Sequence, residues 1–529
     1  MQYALIFVLL LSFVFGLGLL ARRLAVPYPI LFVIGGLFIG FIPISHTELQ
    51  LNPDLVFFLF LPPLLYIQAF YTSWRDFLFN LRPILLLAIG LVVATTVTVA
   101  FVAHWLIPGM PLSVGFVLGA IISPPDAVAA SAIAQRLGLP RRVVTVLEGE
   151  SLVNDATSLV IFKVALTAVG ATVPLIGRAW LPGEFIYIAV GGVTVGLVIG
   201  KCIGWMRRRV QKDGPQIFLT VSLMTPYLSY LLADQLLHVS GVLAVVATGL
   251  YLGWEAPEAL NSTIRLEAKS FWDIIIYLLN GIVFVLIGLQ LPGILRSMAQ
   301  HWWPMPLVYA IVICVICILV RLVWIIPGAY LPRLLFKRIR DREEPPDLRE
   351  VIIVGWAGMR GIVSLAAALA LHSYPNFPRP HLVQFISFCV IFTTLVLQGL
   401  TLPALIRFLG VGDDGISARE EIQARQQLAA VVFEKINAVR VEEKFPPSAL
   451  AVVENVYRER ALILQDELAD ELGWSDRRHH VLSVRRLNRL MIAAQRRALV
   501  ALRREGAIGD DVLHKIEREL DLEEVRLKA

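Results

Sequence analysis

Residues 112–136 read LSVGFVLGAIISPPDAVAASAIAQR, with Pro124, Pro125 and Asp126 in the middle of an otherwise apolar run. At about 1.5 Å per residue, such a segment is long enough to cross a hydrocarbon layer about 30 Å thick as a helix. Two consecutive prolines lack N–H groups, so the carbonyls of Ala120 and Ile121 lose their helical partners. A break at membrane depth is tolerated where the freed groups face a cavity or coordinate something. A plain proline kink beside a hydrogen-bonded acid is the simpler reading, but the carboxylate of Asp126 at the break weighs against it.

The composition of the whole chain agrees with a membrane setting. Of 529 residues, 57% are apolar and 17% charged. Soluble globular chains carry about 45–50% and about 25%. The charges are also unevenly distributed. From Gly412 onward there are 20 Lys and Arg and 22 Asp and Glu, against 27 and 19 before it. This predicts a transmembrane domain over 1–410 and a helical cytoplasmic domain, regulatory or dimerising, over 411–529. Disulfide scaffolds, nucleic-acid binders and soluble enzymes fit poorly. Basic loops at a cytoplasmic face account for the excess of positive charge without a nucleic-acid partner. Cys314 and Cys317 have no second pair, and the nine histidines have no metal-ligand spacing, so no cofactor is expected.

Thirteen apolar segments between residues 3 and 409 read as spans, predicting an all-α polytopic protein of the cell membrane. The first is followed by Arg22 and Arg23 and preceded by no basic region, which favours an uncleaved helix over a signal peptide. With the N-terminus outside and the C-terminus inside, the inner loops hold nineteen Lys and Arg, including Arg207, Arg208 and Arg209. The outer loops hold three: Arg178, Arg296 and Arg379. A wrong span count would scramble that bias.

The sixth span places Ser151, Asn154, Asp155 and Ser158 on one helical face. An oxygen-rich stripe with a carboxylate suits a hard monovalent cation, which must replace its water shell with oxygens. Interhelical hydrogen bonding by Ser158 is an equally ordinary reading. Lys163 reads as snorkelling toward the interface. Asp126, Asp155, Arg321 and Arg360 all fall about 15–18 Å from the cytoplasmic ends of their helices, with Glu150 slightly shallower, so one midplane site is expected. Glu150 lies within reach of Arg321 as a structural ion pair, with Arg360 the competing partner. Spans one to six and eight to thirteen read as inverted six-helix repeats. Each has an interrupted fifth member, at Pro124-Pro125 in the fifth span and at Gly358 and Gly361 in the twelfth. Paired broken helices point to a secondary transporter.

The runs Ser123-Pro-Pro-Asp126-Ala-Val-Ala, Gly149-Glu-Ser-Leu-Val-Asn-Asp155 and Gly358-Met-Arg-Gly361 resemble the monovalent cation:proton antiporter family, in its sodium/proton exchanger branch. Leu502–Leu527 resembles the tail of bacterial members. The resemblance implies a homodimer, in which spans four to six and eleven to thirteen form a transport core moving against a scaffold. It makes Asp155 the carboxylate that alternates between proton and sodium, with Asp126, Ser151 and the Pro125 backbone helping to coordinate the cation. It pairs Glu150 with Arg321 and sets Arg360 to compensate charge at the second broken helix. Asn154, where the electrogenic branch has an Asp, implies electroneutral exchange. Two departures bear on cation affinity: Pro125 replaces a frequent Thr, and Ile67 and Gln68, rather than an acid, follow the Pro62-Pro63 run of the third span. Potassium and lithium are the alternative cations. An intramembrane aspartyl protease using Asp126 and Asp155 lacks the expected Gly-x-Gly-Asp context, and no repeated ring supports a channel filter.

Overall fold

The computed structural model describes residues 2–24, 27–41, 53–169, 181–210, 214–297, 304–335, 337–342, 345–371, 374, 377–412, 415–441, 446–458, 491–495, 497–499, 516 and 520. Among these residues there is helix and no β-strand. The chain divides into two compact units, Met1–Asp413 and Asp414–Ala529.

In the first unit, α1 is Gln2–Leu24, α2 Tyr28–Gly40, α3 Pro53–Tyr71, α4 Leu81–Leu106, α5 Leu112–Ile122, α6 Ala127–Arg136, α7 Arg141–Ala168 and α8 Leu181–Val210. There follow α9 Pro215–Leu236, α10 Gly241–Ala259, α11 Ser262–Ser297, α12 Pro304–Leu335, α13 Leu348–Trp356, α14 Ile362–Ala370 and α15 Pro380–Leu409. Among the described residues, eight helical stretches are long and apolar enough to cross a membrane: α4, α5 with α6, α7, α8, α9, α11, α12 and α15. Apolar but shorter are α2 and the Phe58–Tyr71 part of α3. Polarity is inverted relative to a water-soluble bundle. Trp105 is 86% exposed and Phe15 71%, while Glu150, Arg321 and Arg360 are each 1% exposed. Apolar side chains face outward, as lipid demands, and charges are enclosed.

The helices pack in two groups. One joins α1, α2 and α11, with α3, α8 and α9 gathered around α10. In the other, α4 packs on α5 and α12, α5 on α7, and α12 on α13 and α15. Contacts of α14 with α3, α11 with α15 and α7 with α10 connect them. Small residues let backbones approach closely. A Cβ at Gly36 of α2 would overlap the Val285 carbonyl of α11, and one at Gly288 of α11 would overlap the Val33 carbonyl of α2.

Local chemistry sets the boundaries around the site. Asp126 caps α6 by accepting from Val128 N at 2.8 Å. At the other end of α6, Gly138 takes a left-handed φ of 62°, Gly138 N bonds Gln135 O, and Leu139 N bonds Ala134 O. This glycine-terminated turn, followed by Pro140, stops α6 and launches α7.

Arg207 is not the loop charge its sequence position indicated. Helix α8 continues to Val210, and Arg207 is buried. Its Nη2 donates to Tyr66 Oη at 2.8 Å and Ser222 Oγ at 3.0 Å, and its guanidinium carbon lies 5.2 Å from the Phe218 ring centroid.

In the second unit, α16 runs Ile416–Val441, within the domain expected to be helical, and residues 446–458 add a helical stretch. Glu454 accepts from both Arg440 and Arg458, clasping the two. Most of the Arg-rich stretch Val481–Leu502, within the domain expected to be helical, lies outside the described residues, though 491–495 and 497–499 are helical. Leu502–Leu527 lies outside them except for Ile516 and Leu520.

Candidate functional site

The two interrupted spans meet at their breaks. Helix α5 stops at Ile122 and α6 begins at Ala127; α13 stops at Trp356 and α14 begins at Ile362. Asp126 N donates to Met359 O at 2.6 Å, joining the unwound segments backbone to backbone. Arg360 Nε donates to Ile122 O at 3.1 Å and its Nη1 to Gly358 O at 2.5 Å. Its own N–H donates to Thr394 Oγ1 at 3.2 Å, at a π-helical turn of α15. Of the two carbonyls released by the prolines, that of Ala120 accepts from Ser123 Oγ at 3.2 Å. The guanidinium therefore covers the carbonyl end of α5, where the helix dipole is negative.

Asp126 serves the opposite ends. One carboxylate oxygen caps α6 through Val128 N, and the other lies against Gly361, at the start of α14. A Cβ at Gly361 would overlap this second oxygen, so the residue must be glycine for reasons of space. Two positive helix termini thus converge on one carboxylate.

The polar stripe of α7 faces this crossing. Ser151 Oγ accepts from Ala127 N at 3.3 Å, and Asn154 Nδ2 donates to Pro125 O at 2.8 Å. Ser158 departs from the interhelical reading: its hydroxyl donates to Asp155 O at 2.9 Å, within its own helix. Among the described residues, no hydrogen bond or ion pair reaches the Asp155 carboxylate. Asp126, Ser151 and Asp155 line one cavity. Pro125 and Asn154 are joined to each other and do not line it.

The cavity also takes in Gln68 of α3, named above as a departure from the family pattern, and Asn280 of α11 and Ser364 of α14, which the sequence did not single out. Asn280 shares a hydrogen bond with Tyr28. A lone buried amide in the apolar run Leu278-Leu279-Asn280-Gly281-Ile282 was the available signal.

The remaining charges are separately engaged. Arg321 holds Glu150 through two bonds, Nη1 to Oε1 at 2.6 Å and Nη2 to Oε2 at 2.9 Å. Its Nε reaches Gly355 O at 3.1 Å and its Nη2 reaches Val354 O at 3.0 Å, at the end of α13. Both Glu150 oxygens are therefore occupied by Arg321, while Arg360 turns to carbonyls. Lys163 does not simply snorkel: it lies 2.8 Å from Asp234 of α9. Cys314 and Cys317 are buried free thiols, and no group of three metal-ligating side chains occurs among the described residues.

A family model described as "Sodium/hydrogen exchanger, transmembrane" matches residues 9–408. An uncharacterized Na+/H+ exchanger of Mycobacterium bovis is 36% identical over 514 residues, covering 96% of this chain and 93% of that one. A sodium, potassium, lithium and rubidium/H+ antiporter of Bacillus pumilus is 36% identical over 393 residues, 72% of this chain and 58% of that one. Among solved structures, the sodium proton antiporter MjNhaP1 from Methanocaldococcus jannaschii has a TM-score of 0.61 at 20% identity, covering 77% of this chain and 98% of that one. This last likeness concerns the fold.

Proposed function

The chain belongs to the sodium/hydrogen exchanger family, and on that premise we propose that it exchanges Na+ for H+ across the cell membrane through one carboxylate, Asp155. It is a secondary antiporter, with both ions as its substrates. The observation that carries the reading is the Asp155 carboxylate, without a protein partner among the described residues, sharing a buried cavity with Asp126 and Ser151. A carboxylate that accepts either a proton or a cation, never both, produces exchange by competition. Asp126, Ser151, Asn154 and the Pro125 carbonyl hold or shape the cation position. Of these, Asp126 is fixed by two helix termini, and Asn154 orients the Pro125 carbonyl. With Asp126 so held, one negative charge is neutralised alternately by H+ and Na+, giving electroneutral one-for-one exchange.

Thirteen spans with the N-terminus outside and the C-terminus inside, arranged as two inverted repeats, accommodate alternating access. The group containing α4–α7 and α12–α15 is the transport core, and the other group is the scaffold and dimer face. Residues 411–529 form a cytoplasmic regulatory or dimerising domain. A broader cation range is a second reading, favoured by the potassium, lithium and rubidium named for the Bacillus pumilus relative.

Purified protein in proteoliposomes, given an acid-inside gradient, tests the assignment. Adding Na+, Li+ or K+ in turn should dissipate the gradient with Na+ and reveal the selectivity. Clamping the membrane potential should leave the rate unchanged. Asp155→Asn should insert and fold yet be inert; cation-dependent proton flux surviving in that variant would refute the carrier role.

A further inference from the structure

Ser364 is 1% exposed, lines the cavity that holds Asp155, and has a hydroxyl oxygen without any hydrogen-bond partner. Leaving a buried hydroxyl unsatisfied is unfavourable by about 1–3 kcal/mol. Thr157, Ser229 and Thr394 avoid this by bonding back to carbonyls of their own helix, at Val153, Thr225 and Val390. Ser364 shares the unpartnered state with Thr96, Ser131 and Ser387 and, of these four, alone lines the cavity of Asp155. Ser364 sits in the first turn of α14, which begins at Ile362. Four residues earlier lies Arg360, in the unwound segment, where no helical carbonyl is placed for it. The unpartnered oxygen therefore stands at the break, inside the cavity.

An alkali cation stripped of water needs several oxygen ligands. Within the cavity, Asp126 and Pro124 come from the first broken span, and Ser151 and Asp155 from α7. The second broken span contributes Gly361, Ile362, Val363 and Ser364, of which Ser364 alone has a side-chain oxygen.

We propose that the Ser364 hydroxyl is a ligand of the transported cation, supplied by the second broken helix, and that it sets discrimination among Na+, Li+ and K+. The proposal rests on the exchange reading above. It extends the coordination shell across both broken helices and gives the orphaned hydroxyl a partner: the lone pairs take the cation, and the proton points away from it. A hydroxyl is a neutral, compact donor, so its loss alters ion ranking without changing the charge carried per cycle.

The test uses the full chain in proteoliposomes, with Ser364→Ala and Ser364→Thr beside the parent protein. Apparent KM and maximal rate are measured for Na+, Li+ and K+, together with equilibrium 22Na+ binding and melting temperature. Ser364→Ala should raise the Na+ KM by about tenfold, a typical effect of one lost polar contact, and change the order of the three cations. The melting temperature should stay near the parental value. Ser364→Thr, which keeps the oxygen, should retain the parental order. KM values for all three cations within twofold of the parent would overturn the proposal. So would an equal loss for all three accompanied by a lower melting temperature, since that marks a packing role. A parent protein inert toward every cation would instead remove the exchange reading itself, a distinguishable failure.

Discussion

Lys163 Nζ lies 2.8 Å from Asp234 Oδ1, tying α7 to the π-helical last turn of α9. The pair bridges the two packing groups and borders a cavity with Tyr230, Ser240 and Tyr374. If the groups move against each other, this bond must open in each cycle. Because the lysine is 64% exposed, its loss should leave thermal stability nearly unchanged. Asp234→Asn is expected to favour the state open on that side. Apparent Na+ affinity measured from that side should rise, and that from the opposite side should fall. Equal affinities from both sides, matching the parent, would show the pair to be a bystander.

Glu150 and Arg321 should behave as one buried unit. Replacing either with alanine strands the other charge, an effect of about 3–5 kcal/mol in buried pairs. The double replacement should lose much less than the sum of the singles. Arg321→Lys should not restore stability, because the guanidinium fork serves two carboxylate oxygens and two α13 carbonyls at once. Thermal unfolding of the parent and the four variants decides the matter, and a coupling energy near zero would separate the two residues.

Gly361→Ala should abolish transport and cation binding while permitting membrane insertion. The added methyl would occupy the position of an Asp126 carboxylate oxygen, forcing that cap off one of its helix ends. Gly293→Ala, at a glycine with open space around it, serves as the control and should be indistinguishable from the parent. Binding of 22Na+ to the two variants checks the pair.

Transport rate should follow a bell-shaped curve when pH is equal on both sides. At low pH, Asp155 stays protonated and excludes the cation; at high pH, protons are too scarce for the return step. One-for-one competition further requires the acidic limb to move about one pH unit lower per tenfold rise in Na+. An acidic limb indifferent to Na+ would place pH control elsewhere, with the second unit the first place to look.

The sequence made the breaks legible because proline acts on its own neighbourhood. Pro124-Pro125 and the Gly358–Gly361 interruption announce where helix stops, whatever surrounds them. Helical periodicity likewise put Ser151, Asn154 and Asp155 on one face. It did not assign their work. Asn154 turns to the Pro125 carbonyl and Ser158 back to its own helix, choices made by neighbours 29 and 3 residues away. Sequence position alone makes Arg207 a loop charge and Lys163 an interfacial one, because their partners, Tyr66, Ser222 and Asp234, come from other helices. Ser364 was overlooked for a related reason: a single serine in an alanine-rich helix acquires meaning only when its hydroxyl is seen to lack a carbonyl.

The bond from Arg360 to Ile122 spans 238 residues of chain, and that separation is also a delay. Ribosomes add about 5–20 residues per second, so the first broken helix waits on the order of 10–50 s in the bilayer before its arginine is synthesised. Its partners that emerge sooner are Ser151 for Ala127 N and Asn154 for Pro125 O, 24 and 29 residues on. The α5–α7 segment thus carries polar contacts of its own, available before the second broken helix exists, and Arg360 completes them last.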